Sequence, residues 1–186
     1  MKEKSLGYLA IFLVIFPLIY NILHYWEISA LNSWQASEWL ISYSGGFVRR
    51  GFGGEIIFLI SNLFSISPSI PIVVISFFSY LLLVVILIKI TRNIIPLYIL
   101  FSPILLGMPV YNNFLIRKDV LGVLFLIISL LLMKRNLNIS TLIIINIISI
   151  LAILNHEAFI FFGLPIIMLT FNLLEKKKIW HPFILI

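Results

Sequence analysis

The chain consists of long apolar runs separated by short polar breaks. Six of the runs approach the ~20 residues that an upright membrane-crossing helix needs. They are residues 6–25, 69–88, 94–110, 120–133, 139–154 and 158–174. The runs are continuous, whereas the strands of a membrane barrel alternate, so the pattern predicts helices. We therefore predict an all-α, polytopic helical membrane protein with about six transmembrane helices.

A shorter apolar run, residues 55–66, cannot span a bilayer. Its polar residues are Glu55, Ser61, Asn62 and Ser65. They can gather towards one side of a helix. This run predicts an amphipathic helix that lies at the membrane interface within the first outer loop. The same loop holds Trp26, Trp34 and Trp39, which predict an aromatic belt at the level of the lipid headgroups.

Composition supports the membrane interpretation, because 62% of the residues are hydrophobic and only 11% are charged. A soluble domain of this size needs more polar surface than that. Cysteine is absent, which excludes disulfides and thiolate metal sites. Neither a repeat nor a soluble domain is visible, so residues 1–186 are predicted to be a single transmembrane domain. Its apolar end, 180–186, suggests the amino-terminal part of a longer membrane protein.

The basic residues sort between the two sides of the membrane. An amino terminus in the cytoplasm puts nine of the thirteen in cytoplasmic breaks, namely Lys2, Lys4, Lys89, Arg92, Lys134, Arg135, Lys176, Lys177 and Lys178. This sorting follows the positive-inside rule and predicts a multi-pass membrane protein whose amino terminus is cytoplasmic. The net charge of +6 thus reflects topology, and no nucleic-acid partner is expected.

The first outer loop contains a glycine-rich segment around two adjacent arginines. Five of the nine glycines, including Gly45 and Gly46, fall within residues 45–54, around Arg49 and Arg50. Glycine lets backbone N–H groups turn towards a ligand, and arginine matches phosphate oxygens in two-point contact. The segment therefore predicts a phosphate or pyrophosphate site at the membrane surface. The alternative is a flexible turn whose arginines reach lipid phosphates.

Glu38 precedes this segment. A carboxylate beside a phosphate site can act as a general base or hold a divalent cation such as Mg²⁺ or Mn²⁺. The alternative is a solvated loop residue.

Two further polar groups lie at predicted outer junctions. Arg117, Lys118 and Asp119 stand at the mouth of a short span, where charges are costly unless they are paired, solvated or functional. His156 and Glu157 form a second group that could transfer protons. In each case the alternative is a set of polar groups that pair with one another. If the helices bundle, these groups and the arginine pair can meet in one cavity.

The predicted layout is a span, then a long outer loop that contains an acidic residue and an interfacial helix, and then a second span. This layout resembles the start of the GT-C class of membrane glycosyltransferases. The segment YSGGFVRRG, which begins at Tyr43, also resembles proteins encoded among bacterial surface-polysaccharide genes. The resemblance covers most of the chain in topology but few residues in motif. It implies a protein of the bacterial cytoplasmic membrane that uses a polyprenyl-phosphate or polyprenyl-pyrophosphate sugar at the extracytoplasmic face, with Glu38 as base and Asp119 as a second acid.

We therefore expect glycosyl transfer or polymerisation in surface-polysaccharide assembly. Arg49, Arg50, Arg117 and Lys118 would hold phosphates, and Glu38, Asp119 or Glu157 would accept a proton. Metal-dependent and metal-independent reactions both stay open. The expected partners are membrane lipids, the lipid-linked glycan and other polysaccharide-assembly proteins. The alternatives are a transporter or flippase for an anionic or lipid-linked substrate, and a non-catalytic assembly subunit.

Overall fold

The computed structural model describes residues 34–91 and 116–180, together with five isolated helical residues, Phe12, Phe16, Ile19, Tyr20 and Leu23. The predicted span 94–110 and most of the predicted span 6–25 lie outside the described residues. Within the two continuous ranges there are six helices and no strand. The helices are α1 (Trp34–Trp39), α2 (Gly51–Phe64), α3 (Ser69–Thr91), α4 (Asp119–Arg135), α5 (Ile139–Asn155) and α6 (Phe159–Trp180). The all-α prediction is confirmed for this part of the chain.

The helix positions follow from the apolar runs. Helices α3 to α6 coincide with four predicted runs to within a few residues at each end. Among the described residues, α3 alone is long and apolar enough to cross a membrane, whereas α2, α5 and Phe159–Leu174 are shorter apolar helices. Four predicted helices are therefore present, and their crossing of a membrane stays a prediction.

Helix α4 lies at the centre of the bundle, because it packs against α3, α5 and α6. One apolar core joins α4, α5 and α6 through residues such as Leu126, Ile145 and Phe159. A second core joins α1, α2, α3 and the segment before α4. Its buried members are Trp39, Ile57, Ile72, Val73 and Ile116. This second core fixes the loop after α1 against the start of α4.

Helix α2 differs from the predicted interfacial helix in two ways. It begins at Gly51 rather than at residue 55, so three of the predicted turn glycines lie inside a helix. Its polar residues also do not share one side, since Ser61 is buried while Asn62 and Ser65 are exposed. At Gly51, Gly53 and Gly54 the amino-terminal turn of α2 packs so closely on its neighbours that a Cβ would overlap with them.

Candidate functional site

Four short parts of the chain meet at one end of the bundle: the end of α1, the loop before α2, the residues around the start of α4, and the turn between α5 and α6. They bring together a set of side chains that we call the polar cluster. Its members are Glu38, Arg50, Arg117, Lys118, Asp119, His156 and Glu157. Apart from Arg49, the predicted charged groups of the outer junctions therefore lie together.

Arg50 is the centre of the polar cluster. Its Nε and Nη2 donate hydrogen bonds of 2.7 and 2.6 Å to the two carboxylate oxygens of Glu157. Its Nη1 lies 3.5 Å from Oε1 of Glu38. The hydrogen bonds to Glu157 outweigh desolvation and raise the pKa of Arg50 above its ordinary value. One guanidinium thus ties the segment before α2 to the turn between α5 and α6.

The backbone of Arg50 explains how this side chain reaches Glu157. Arg50 has φ 67° and ψ 8°, in the left-handed region, immediately before α2 begins. Its neighbour Arg49 is exposed. The predicted pair of arginines therefore does not form one clamp, because the backbone turns Arg50 inward and leaves Arg49 at the surface.

Glu157 stays ionised across the ordinary pH range. The hydrogen bonds from Arg50 are the main cause, and they lower the pKa of Glu157 to about 2. Such a carboxylate is a weak proton acceptor at neutral pH, because its proton affinity is low and Arg50 already binds both of its oxygens. Glu157 is thus suited to holding Arg50 in place. Glu38 has one longer contact with Arg50, and its side chain is 19% exposed.

Lys118 is fully buried, with 0% of its surface exposed. Its Nζ donates a hydrogen bond of 3.0 Å to the backbone carbonyl of Arg50 and lies 5.4 Å from the ring centroid of Trp39. Burial lowers the pKa of Lys118 to about 8. Lys118 is therefore placed to hold the left-handed backbone of Arg50, and the predicted phosphate contact from its ammonium group is not available in this arrangement.

Trp39 is part of the core and not of an aromatic belt, since only 2% of it is exposed. Its Nε1 donates a hydrogen bond to the carbonyl of Ile116. The ring and this hydrogen bond fix the end of α1 against the segment that carries Lys118. The belt prediction is therefore wrong for Trp39. The sequence signal was ambiguous, because a tryptophan in an outer loop suits either environment.

The buried lysine predicts a specific pH dependence. The folded chain binds its proton with a pKa of about 8, whereas the ordinary value is 10.5. Burying the charged ammonium group therefore lowers the free energy of unfolding fully below about pH 8, and this loss of stability is relieved as the pH rises towards 10.5. We expect the free energy of unfolding of wild type to rise by about 2 kcal/mol relative to that of Lys118→Met between about pH 7 and pH 9.5. Thermal unfolding of both proteins across this range measures the difference, and a constant difference would contradict the prediction.

Arg117, Asp119 and His156 form a second branch of the polar cluster. Arg117 Nη2 lies 2.6 Å from Asp119 Oδ2, and His156 Nε2 lies 3.7 Å from Asp119 Oδ1. His156 Nδ1 accepts a hydrogen bond of 3.2 Å from the backbone N–H of Ala158. The ring proton of a neutral His156 is therefore on Nε2, facing Asp119. This branch provides an acid and an imidazole beside Glu157.

The predicted glycine-rich segment forms two turns before α2, over residues 43–46 and 48–51. The Gly46 N–H donates a hydrogen bond of 2.9 Å to the Tyr43 carbonyl, and Gly46 has φ 112°. The Tyr43 N–H donates to Glu55 Oε2 at 3.1 Å, and the Tyr43 ring packs on Gly51. Gly45 has no heavy atom within 4 Å of the position that a Cβ would take. These contacts make the turn a defined loop that carries Arg49 at the surface.

Two residues at the site were not identified from the sequence. A Cβ on Gly53 would lie 2.5 Å from Asn155 Oδ1 and 3.3 Å from Lys118 Nζ, so Gly53 permits these side chains to approach α2. Both Gly53 and Asn155 are buried. In the sequence, the glycine-rich segment could have indicated Gly53, and the position next to His156 could have indicated Asn155. No group of three His, Cys, Asp or Glu side chains suited to a metal ion occurs among the described residues.

Chemically, the polar cluster offers two kinds of carboxylate beside fixed positive charge. Glu157 is held by Arg50, and Asp119 is paired with Arg117 and lies near His156. Glu38 has one longer contact with Arg50 and therefore more freedom to take part in proton transfer. Comparison with protein-family models, with curated proteins and with solved structures gave no match. Function is therefore inferred from the geometry of the polar cluster.

Proposed function

We propose that the chain is a membrane glycosyltransferase or polysaccharide polymerase that uses a polyprenyl-(pyro)phosphate-linked sugar at the extracytoplasmic face. The observation that carries the proposal is the contact of Arg50 with both Glu38 and Glu157, which joins α1, the loop before α2 and the turn between α5 and α6 in one site. A site that combines a proton acceptor with positive charge suits the transfer of a sugar from a phosphate leaving group to a hydroxyl.

The membrane part of the proposal places the polar cluster at the outer ends of about six spans. Large apolar side chains are exposed on the outward faces of α3, α5 and α6, for example Phe78, Ile147 and Met168. Such exposure is unfavourable in water but suits contact with lipid tails. The basic sequence breaks near Lys89 and Lys134 then lie in the cytoplasm, opposite the polar cluster.

Within this proposal the residues of the polar cluster have different roles. Glu38 removes the proton from the acceptor hydroxyl, because it is the carboxylate beside Arg50 that is not bound by two short hydrogen bonds. Arg49 meets the phosphates from the exposed loop, and Arg117 assists from the start of α4. Glu157, Lys118 and Trp39 position Arg50 and the loop. His156 and Asp119 supply a second proton-transfer pair near the leaving group.

The test replaces Glu38 and a matched acid outside the polar cluster. We expect Glu38→Gln to reduce surface-glycan assembly on the order of a hundredfold, because the amide cannot accept the proton. Glu55→Gln is the control, since Gln can still accept the Tyr43 N–H that Glu55 binds. The assay measures glycan in a knockout strain that expresses each variant to the same level, and transfer from a polyprenyl-linked sugar by the complete protein in vitro.

Two outcomes would contradict the proposal. If Glu38→Gln supports glycan assembly as well as wild type does, Glu38 is not the base. If the knockout assembles its surface glycan normally and Glu38→Gln alters uptake of an anionic substrate, the transporter function takes its place.

A further inference from the structure

The loop between α1 and α2 exposes apolar side chains at its tip. We call residues 43–49 the aromatic loop. Phe47 is 83% exposed and Val48 is 42% exposed, and Arg49, which follows them, is exposed as well. A Cβ on Gly45 would meet no heavy atom within 4 Å. The tip of the aromatic loop therefore projects away from the helices.

Contacts within the aromatic loop fix this exposure. The ring of Phe47 stacks on the ring of Tyr43, with 5.7 Å between the ring centroids and 9° between the ring planes. Tyr43 in turn packs on the buried Gly51, and its N–H donates a hydrogen bond to Glu55. Two backbone hydrogen bonds, of 2.9 and 3.2 Å, close the turns on either side of Phe47. Phe47 is thus held outside the core, although burial of a phenylalanine side chain favours folding.

The charge at the tip suits an anion. Arg49 forms no ion pair with any residue that the structure describes, whereas Arg50 binds Glu38 and Glu157. No acidic residue occurs within residues 39–54. A guanidinium group matches phosphate oxygens in two-point contact. Arg49 can therefore bind a phosphate without competition from a carboxylate of its own loop.

Two apolar side chains next to such an arginine fit the boundary between lipid tails and headgroups. At that boundary apolar groups lie against the acyl chains while a guanidinium group reaches the phosphates. A soluble polar partner such as a glycan fits less well, because Phe47 and Val48 offer it no hydrogen-bonding side-chain atom. Phospholipids are therefore the partner that matches both the apolar and the charged part of the tip.

We propose that the aromatic loop inserts Phe47 and Val48 into the outer headgroup region of the membrane and binds phospholipid phosphates with Arg49. This inference rests on the membrane placement given with the proposed function, and it does not depend on glycosyl transfer. The loop continues directly into Arg50, so its insertion sets the depth of the polar cluster relative to the lipid headgroups. The phosphate of a lipid-linked sugar lies at that same depth, beside Arg50 and Glu38.

The test uses the full chain in nanodiscs of phosphatidylglycerol. Because the sequence has no cysteine, Val48→Cys carries a single spin label and keeps Phe47 and Arg49 in place. Electron paramagnetic resonance compares the label's accessibility to oxygen, which concentrates in hydrocarbon, with its accessibility to a water-soluble nickel chelate. Labels on two exposed residues are references, Ile147→Cys for hydrocarbon and Asn136→Cys for water. We expect the oxygen-to-nickel ratio at Val48 to lie between the two references, several-fold above the water reference.

Further substitutions in the Val48→Cys protein separate the apolar contact from the charge. Phe47→Ser should raise nickel accessibility several-fold, because it removes the larger apolar group. Phe161→Ser is the matched control, since it removes an equally exposed phenylalanine from α6 and should leave the label unchanged. In nanodiscs of digalactosyldiacylglycerol, which has no phosphate, nickel accessibility should be higher than in phosphatidylglycerol, and Arg49→Gln should abolish this difference.

The references distinguish the possible failures. If the hydrocarbon reference is as accessible to nickel as the water reference, the helices do not span the membrane, and both this proposal and the proposed function are overturned. If only the label at Val48 matches the water reference, the aromatic loop faces water and this proposal alone is overturned. A label unchanged by Phe47→Ser, or a phosphate dependence that persists in Arg49→Gln, also overturns it. Normal glycan assembly in Glu38→Gln with an inserted label overturns the assigned base and leaves the lipid contact standing.

Discussion

Arg50→Ala is expected to reduce the proposed glycosyl transfer on the order of a hundredfold and the stability of the chain by about 2 kcal/mol. The substitution removes two short hydrogen bonds to Glu157 and the contact with Glu38. It also leaves two carboxylates near one another without their shared cation, and like charges at short range repel. Thermal unfolding of the full chain should show a Tm lower by about 4–8 °C.

Three further variants test the cause of this loss. Arg50→Lys keeps the charge but cannot bind both oxygens of Glu157, so we expect an intermediate loss. Arg50→Gly removes the same side chain as Arg50→Ala while favouring the left-handed backbone at φ 67°. It should therefore be more stable than Arg50→Ala and equally inactive. Arg49→Ala is the control for stability alone, because Arg49 is exposed and its loss should leave Tm within about 1 °C.

The double variant with Glu157→Gln isolates the interaction itself. If the ion pair between Arg50 and Glu157 carries the effect, the two single losses of stability will not add in the double variant. Additive losses of stability, or an Arg50→Ala protein with the Tm of wild type, would contradict the role of Arg50 as the residue that joins the segments of the polar cluster.

The helices of this chain could be predicted from its sequence because their signal is local. Each apolar run that coincides with α3, α4, α5 or α6 is bounded by polar residues that end it. Antiparallel neighbouring helices bring alternate junctions to the same end of a bundle. The sequence could therefore predict that the loops with Arg50, Lys118 and Glu157 lie near one another, but not which side chains are in contact.

The partners within the polar cluster depend on backbone geometry that the sequence does not reveal. Arg49 and Arg50 are equivalent by residue type, and the left-handed backbone of Arg50 alone directs one of them inward. Lys118 and Arg117 are adjacent cations beside Asp119, yet Arg117 pairs with that carboxylate while Lys118 binds the Arg50 carbonyl. A sequence pattern can indicate that such charges are paired without indicating the partner.

Gly54→Ala is expected to destabilise the chain by about 3 kcal/mol or more. A Cβ at this position would lie 1.9 Å from the carbonyl oxygen of Ile41 and 2.7 Å from that of Trp39. Both obstacles are backbone atoms, so no change of rotamer can relieve the overlap. Helix α2 would have to move away from the segment after α1, which disturbs Trp39 and, through it, the environment of Lys118.

Two other glycines provide a graded comparison for Gly54→Ala. Gly53→Ala would meet side-chain atoms of Asn155 and Lys118, which can move, so we expect a smaller loss of about 1–2 kcal/mol. Gly45→Ala meets no heavy atom within 4 Å, and its stability should stay within about 0.5 kcal/mol of wild type. Tm and the yield of folded protein in detergent measure the series. If α2 packs closely on the Trp39–Ile41 backbone, the loss of stability should increase from Gly45→Ala to Gly53→Ala to Gly54→Ala. A Gly54→Ala protein as stable as Gly45→Ala would contradict this packing.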